Sequence, residues 1–360
     1  MIPNIYKGDY RKLIILPLIL IVISLLLLPN LKFGVDFRGG TLIALQLDGP
    51  LDTTALEEDF AAHGLDATVK IFEGSMANTA EIEVSQTDTM MEADQLKAEF
   101  NILLDEVALL EAQSYDDPDK LLEYNAKRAE LDEIANRMFS LAGLNTAAEM
   151  HPNLNQLKKL FSEAYLQIYS NHTEAILDII NQHATYTSHS SETVSAALSE
   201  HFIGQATTVV IYSAVLSVIL VFFFFRAPVP SLAVLVGAFS DIIIALGAMS
   251  LFGIPLSLPS FAALLMLVGF SLDTDILLTM RILKRKGDPR DNAFDAMKTG
   301  MTMSISSIIA FSALFALALL THIPTYYQIA AVALAGLVGD LFATWGLNAV
   351  MILQYKEKRG

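Results

Sequence analysis

The apolar positions of this 360-residue chain fall into two textures. In six places they run nearly unbroken: roughly Leu13 to Leu28, Ile203 to Phe225, Val229 to Phe252, Pro259 to Met280, Met303 to Leu320 and Ile329 to Leu353. A helix needs ~20 apolar residues to cross the ~30 Å hydrocarbon core of a bilayer, so each run predicts a transmembrane helix. The first and fifth are short but carry no charge. No small-residue cleavage site follows the first, in "LLLLPNLKFG", so it reads as a retained anchor rather than a secretory signal. The last five crowd together, leaving a long region between the first and the second.

In that region the pattern changes. "TLIALQL" alternates apolar and polar residues and predicts a strand. "LDTTALEEDFAAHG" predicts a helix capped by Asp52, with Leu56 and Phe60 on one face and Gly64 at its end. "ATVKIFE" and "AEIEVSQ" read as two more strands joined by "GSMANT". This strand–helix–strand–strand order suits a split βαβ sheet of the ferredoxin-like kind. From Glu92 to Leu141 the sequence turns to Leu, Ala and Glu, broken at "SYDDPDK". The break predicts a helical hairpin whose second helix starts at Asp117 or Asp119, and a further helix runs from Leu154 to about Gln182. The expected fold is thus a polytopic α-helical membrane protein with six transmembrane helices. A large extracytoplasmic α+β (ferredoxin-like) domain with helical additions lies between helices 1 and 2. The expected divisions are 1–12 and 356–360 as cytoplasmic termini and 13–29 as the first span. Residues 30–200 form the outer domain (30–90 α+β, 91–183 mainly helical), and 201–355 a five-helix bundle.

Composition sharpens this picture in two ways. Hydrophobic residues make up 53% and charged residues only 17%, too apolar a balance for an ordinary soluble domain. Between Asn30 and Glu200 there are 30 acidic and 10 basic residues. Elsewhere basic residues gather on alternate connections: Lys7, Arg11 and Lys12; Arg226; Arg281 through Lys298; Lys356 to Arg359. "GIPLSL" and "THIPTY" carry none. The positive-inside rule then predicts both termini cytoplasmic and the acidic domain outside. That acidity argues against nucleic acid as a partner. Zero cysteines exclude thiol chemistry, cysteine zinc sites and iron–sulfur clusters. Asn171-His172-Thr173 is a glycosylation sequon on the outer side. His172, His183, His189 and His201 lack compact metal-ligand spacing and read as surface or capping residues. No nucleophile–base set, metal motif or cofactor motif appears, so no enzymatic role is expected.

Two stretches remain that chemistry must explain. The first is "LKFGVDFRGGTLIALQL", where Gly34, Asp36, Phe37, Arg38, Gly39 and Gly40 sit just after the first span. The glycines do not form a dinucleotide or P-loop fingerprint, and a strand follows them instead of a helix N-terminus, so a phosphate cradle is excluded. A turn or bulge entering the sheet explains the glycines but not Asp36 and Arg38 beside them. The second is a set of carboxylates within spans: Asp241 in the third, Asp273 and Asp275 in the fourth, Asp340 in the sixth. A charged carboxylate at the bilayer centre costs ~2.5–3.5 kcal/mol on insertion scales, and such residues mark ion or proton pathways. Asp273 and Asp275 lie about 200° apart around a helix, so they face nearly opposite sides. No Lys or Arg lies deep within a span to neutralise them. Ser271, Thr274, Ser240 and Thr344 are the neighbours able to hydrogen-bond or relay. Gly237, Gly247, Gly269, Gly336, Gly339 and Ala335 would let helices approach closely.

These stretches resemble the SecD/SecF family of Sec-translocon accessory proteins, in its archaeal SecF branch. The family's G-[IV]-D-F-x-G-G stands here as Gly34-Val35-Asp36-Phe37-Arg38-Gly39-Gly40. The bacterial third-span pattern H-D-V-[IL]-I-T stands as Ser240-Asp241-Ile242-Ile243-Ile244-Ala245, and the fourth-span V-G-[YF]-S-[IL]-N-D-T as Val268-Gly269-Phe270-Ser271-Leu272-Asp273-Thr274-Asp275. The resemblance implies a member of the resistance-nodulation-division-like superfamily that pairs with SecD beside a SecY-type channel. It would use the proton (or sodium) gradient to move an outer domain that holds the translocating polypeptide. The implied ion or proton relay is Asp273 first and Asp275 second, with Asp241 and Asp340, and Gly39 and Gly40 would be a hinge after the first span. Two departures stand out. The acidic residue of bacterial SecF falls at Thr274, and the arginine that opens its fifth span is missing, with only Lys298 nearby. Two other readings remain open: an exporter of lipid or small molecules from the same superfamily, and a non-transporting scaffold for the translocon.

Overall fold

The computed structural model describes residues 4–72, 78–114, 117–321 and 323–358. In chain order the first elements are helix α1 (Ile15–Leu27), a single helical turn α2 (Val35–Arg38), strand β1 (Gly40–Leu47), helix α3 (Thr53–Ala62) and strands β2 (Ala67–Phe72) and β3 (Asn78–Val84). Helices α4 (Asp88–Gln113), α5 (Pro118–Leu141) and α6 (Leu154–His183) follow, then strand β4 (Tyr186–Val194). The remainder is α7 (Ala196–Phe225), α8 (Pro228–Phe252), α9 (Leu258–Lys284), α10 (Pro289–Thr321), α11 (Pro324–Phe342), a π-helical segment (Ala343–Asn348) and α12 (Ala349–Glu357). The chain divides into two compact units, with breaks between Phe37 and Arg38 and between Phe202 and Ile203.

One unit is built on a four-stranded antiparallel sheet in the order β2-β3-β1-β4. Alternation decides its faces. Ile43, Leu45, Ala80, Ile82 and Val84 point to one side and are buried with Leu56 and Phe60 of α3. Asp52 starts α3 by accepting the N–H groups of Thr54 and Ala55 at 3.1 and 3.2 Å, and Gly64 ends the following turn at φ +75°. On the opposite face Glu81 is only 2% exposed, one carboxylate oxygen has no hydrogen-bond partner, and Lys70 stands directly across the ladder. The connection "GSMANT" lies largely outside the described residues.

β4 was not anticipated from its sequence, "YTSHSSETV". Nearly all its side chains are exposed and only Val194 is buried. Its place is fixed by the backbone ladder to β1, from Gly40 opposite Val194 up to Leu47 opposite Tyr186.

Helices α4, α5 and α6 form a second core. Phe100 stacks on Phe161 with ring centroids 3.8 Å apart, among Leu104, Val107, Leu131, Met138 and Leu157. Asp117 caps α5 through the N–H of Asp119 at 3.0 Å. Arg128 bonds Asp132 and the carbonyls of His151 and Pro152, tying α5 to the entry of α6. The 30-residue α6 spans about 45 Å at 1.5 Å per residue. Its first half packs in this core, and Ile176, Ile179 and Ile180 pack under the sheet. His172, expected at the surface, is buried midway along α6, and burial lowers its pKa. His183, half-buried at the end of α6, bonds the Asp59 side chain of α3 at 2.7 Å, a link between helices instead of a cap. A polar knot joins the helices to the sheet, with Tyr165 and Tyr169 donating to Asp94 at 2.8 and 2.6 Å and Gln86 bonding both Asp94 and the carbonyl of Val194.

Among the described residues six helices, lying chiefly in the other unit, are long and apolar enough to cross a membrane: Tyr10–Asn30, Leu198–Phe225, Pro228–Phe252, Leu258–Lys284, Pro289–Thr321 and Pro324–Glu357. The last includes the π segment. Helices α8, α9 and α11 hold the buried faces, whereas α1, α7 and α10 expose most of their apolar surface. α1 lies against α8, where Gly247 leaves room for Ser24 and Ser250 donates to the carbonyl of Leu27 at 2.6 Å.

Candidate functional site

Three of the four intramembrane carboxylates converge. Asp241 on α8, Asp275 on α9 and Asp340 on α11 are each 0% exposed. The side chains of Asp241 and Asp340 adjoin, and Asp275 lies within electrostatic range of Asp340. Hydroxyls from two helices donate to the cluster. Ser271 donates to Asp241 Oδ2 at 2.5 Å, Thr274 to Asp340 Oδ1 at 3.1 Å, and Thr344 to the same oxygen at 2.9 Å. Asn348 Nδ2 donates to Asp275 Oδ1 at 2.7 Å. Among the described residues no side-chain or backbone donor reaches Asp241 Oδ1 or Asp275 Oδ2, and both oxygens are buried. A buried oxygen left without a donor is costly.

Local geometry explains this arrangement. Thr274 and Asp275 share the inward side of α9 while Asp273 lies on its exposed side, the opposed facing that a two-residue step imposes. Asp275 Oδ2 fits where Gly237 of α8 has no side chain; a Cβ there would overlap the carboxylate. The π segment sets Thr344 and Asn348 toward the carboxylates at the end of α11. Single π turns recur inside helices at functional sites. Tyr6 donates to the carbonyl of Trp345 within this segment at 2.9 Å, and its burial raises its own pKa.

All four carboxylates stand out in the sequence as charges within apolar runs, and the family resemblance ranks Asp273 ahead of Asp275. The structure gathers Asp275 with Asp241 and Asp340 and leaves Asp273 outside. Ser240 does not join the cluster; its hydroxyl donates to the carbonyl of Val236 in its own helix. Asn348 and Gly237 had gone unassigned to the cluster. The signal for Asn348 was an amide interrupting the apolar run "GLNAVMIL", eight residues after Asp340.

The motif after α1 forms a second constellation. The expected turn or bulge is a helical turn followed by two glycines of positive φ, +74° at Gly39 and +138° at Gly40. Gly34 N–H donates to the carbonyl of Leu256 at 2.8 Å, and Leu256 N–H to that of Lys32 at 2.8 Å. Asp36 and Phe37 are buried; Arg38 is exposed. Asp36 Oδ2 accepts the N–H of Leu258, the first residue of α9, at 2.7 Å. Phe37 meets Phe261 edge-on at 6.2 Å.

Both constellations fall within known family patterns. The model described as "Protein export membrane protein SecD/SecF, C-terminal" matches residues 174–358, just over half the chain, and the "SecD/SecF GG Motif" model matches residues 31–50. The chain belongs to the SecD/SecF family of protein-export membrane proteins. The stretch 51–173, with most of the helical additions, lies outside both models. Among relatives, the protein-export membrane protein SecF of Methanothermobacter thermautotrophicus is 46% identical over 178 residues, covering 49% of this chain and 62% of its own length. The SecF of Methanocaldococcus jannaschii is 43% identical over 171 residues, covering 46% and 60%. The chain therefore spans about three fifths of the length of these relatives. The crystal structure of SecDF from Thermus thermophilus, described as a translocon-associated membrane protein, aligns with 97% of this chain and 38% of its own, at TM-score 0.60 and 16% identity. That likeness shows a shared fold, and with the six apolar helices it marks this SecD/SecF-family chain as a multi-pass membrane protein.

Proposed function

We propose that this chain is an accessory subunit of the Sec protein-export machinery, acting with SecD to promote translocation across or into the membrane at the expense of an ion gradient. The observation that carries the reading is the trio Asp241, Asp275 and Asp340, buried together with no lysine or arginine among their hydrogen-bond partners. Carboxylates are retained at such a depth where they take up and release ions.

The rest of the reading follows. Both termini are cytoplasmic, and residues 30–200 form an extracytoplasmic domain that handles the translocating polypeptide. Its antiparallel order, β2-β3-β1-β4 with α3 after β1, supports a ferredoxin-like sheet whose second helix has been expanded into α4, α5 and α6. Residues 201–355 form the bundle. Asp275 is the central ion carrier, with Asp241 and Asp340 beside it. Asp273, on the exposed side of α9, faces SecD, since a lipid-facing carboxylate would be expensive. Gly39 and Gly40 form the hinge through which bundle and sheet are joined. A SecY-type channel and membrane lipid are the remaining partners, and the role is not enzymatic.

The test is ion flux in vesicles that hold this chain with its SecD partner, comparing wild type with Asp275→Asn and Asp273→Asn and leaving the partner's carboxylates intact. A gradient-driven proton current that disappears in Asp275→Asn, in complexes that still assemble, supports the proposal. A current unchanged in Asp275→Asn, or absent in wild type, would overturn it in favour of a scaffold. Release of lipid or small molecules in place of polypeptide export would favour an exporter.

A further inference from the structure

Helix α9 already possesses its own start. Ser257 and Ser260 form a reciprocal capping box, in which Ser257 accepts from the N–H of Ser260 and Ser260 Oγ accepts the N–H of Ser257 at 2.7 Å. Asp36 adds a cap from 222 residues away, taking the N–H of Leu258 at 2.7 Å. A carboxylate there is favoured by the positive end of the helix, but the helix does not depend on it to begin. What this bond does is tie the motif to α9.

The tie reaches a second helix. Ser257 Oγ donates to Gln328 Oε1 of α11 at 2.5 Å, and all of these groups are buried or nearly so. The same two helices carry Asp275 and Asp340, 17 and 12 residues further along, about 25 and 18 Å at 1.5 Å per residue. Their N-terminal ends are thus knotted together at Asp36, Ser257 and Gln328, while farther along they hold the carboxylates. A packed helix moves nearly as a rod. Displacement of α9 against α11 at the carboxylates therefore appears at the knot.

From Asp36 only Phe37, Arg38 and Gly39 precede β1. Phe37 is held against Phe261, and the Cβ that Gly40 lacks would collide with the carbonyl of Val84.

We infer that Asp36 is a positioning residue that transmits displacement of α9 to β1, so that its loss separates ion movement from work on the polypeptide. The inference rests on the ion-relay reading above. It assigns Asp36 no contact with the ion.

The experiment uses the complex with the SecD partner in vesicles. Proton flux is followed with a pH-sensitive dye, and export with a secreted reporter carrying a signal sequence. Asp36→Ala should keep flux within about twofold of wild type and lower export by about tenfold or more. Asp36→Asn keeps an oxygen acceptor for Leu258 N–H and should restore most export. Parallel loss of flux and export in Asp36→Ala would overturn the inference. An independent arm follows amide exchange along Thr41 to Leu47. Asp275→Asn should alter exchange there in the wild-type background and leave it unaltered once Asp36→Ala is present. Persistence of the change in the double variant, or no change in either background, sinks the proposal. Absence of flux in the wild type would strike the ion-relay reading instead, and the exchange arm still decides transmission. If Asp36→Ala does not assemble, Gln328→Leu cuts the hold of α11 on Ser257 and leaves the Asp36 bond intact. It should reproduce flux without export, and equal loss of both is the contrary result.

Discussion

Asn348 holds Asp275: its side-chain amide donates to one carboxylate oxygen at 2.7 Å across the interface between the π segment and α9. Leucine at position 348 keeps much of the volume and removes the donor. A buried acceptor left unsatisfied costs about 1–3 kcal/mol. Asn348→Leu should therefore lower the thermal unfolding midpoint of the purified complex and depress ion flux, with Asn348→Gln intermediate. Unchanged flux in a folded Asn348→Leu complex would show that Asp275 does not need this partner.

Gly237 is the other wall of the same carboxylate. A methyl group there overlaps Asp275 Oδ2, whereas a Cβ at Gly204 of α7 meets nothing within 4 Å. Overpacking a tight interior typically costs about 1–3 kcal/mol. Gly237→Ala should impair both stability and flux, and Gly204→Ala neither. Matched behaviour of the two variants in the same flux assay would contradict the close approach.

The paired glycines are not equivalent. At Gly40 an alanine meets the backbone carbonyl of Val84, which has nowhere to go; at Gly39 it meets the movable side chain of Gln86 at 2.9 Å. Both positions have positive φ, so both substitutions carry backbone strain of about 1–3 kcal/mol. Gly40→Ala should be the more destabilising when unfolding of the sheet is followed by circular dichroism. The reverse order would refute the packing argument.

Glu81 predicts a pH dependence. Burial is the main cause that raises its pKa from 4.5 to about 7, with Glu83 adding and Lys70 opposing. An acid whose folded pKa lies above its unfolded value stabilises the fold fully below the unfolded value. That stability is lost as pH rises through the folded value. As far as Glu81 is concerned, the sheet unit should thus be most stable below pH 4.5 and weaken as pH rises through about 7, by roughly 3 kcal/mol at the limit. Denaturant unfolding at several pH values should show this slope in the wild type and lose it in Glu81→Gln. An equal slope in both places its origin elsewhere.

The sheet, the helical hairpin and the spans were legible because each rests on side-chain periodicity or a cap that sequence displays. Asp52 and Asp117 announce α3 and α5, and Ile43, Leu45, Ile82 and Val84 alternate as a half-buried sheet must. β4 was illegible for the same reason: its support is the backbone of β1, which has no residue signature. In the bundle the carboxylates stood out as charges in hydrocarbon, yet periodicity only says that Asp273 and Asp275 face apart. The gap left by Gly237 decides which faces in, and that gap belongs to another helix. Asn348 carries no charge, and the π segment that aims it has no Pro or Gly pair to announce it. The bond from Asp36 to Leu258 joins residues 222 apart, beyond any local pattern.

The pairing of Gly40 with Val194 has a mechanical consequence. Chain enters the sheet at Gly40 and leaves it just past Val194, so both leads emerge at the same end of one antiparallel ladder. Tension between the two leads loads the rungs one after another, as in opening a zip. Strands pulled from opposite ends would instead resist with all rungs at once. With almost no buried side chain on β4 to reinforce it, the ladder should open in small steps at low force when Phe37 and Ser195 are pulled apart with optical tweezers. A single high-force rupture would mean that something other than the ladder bears the load.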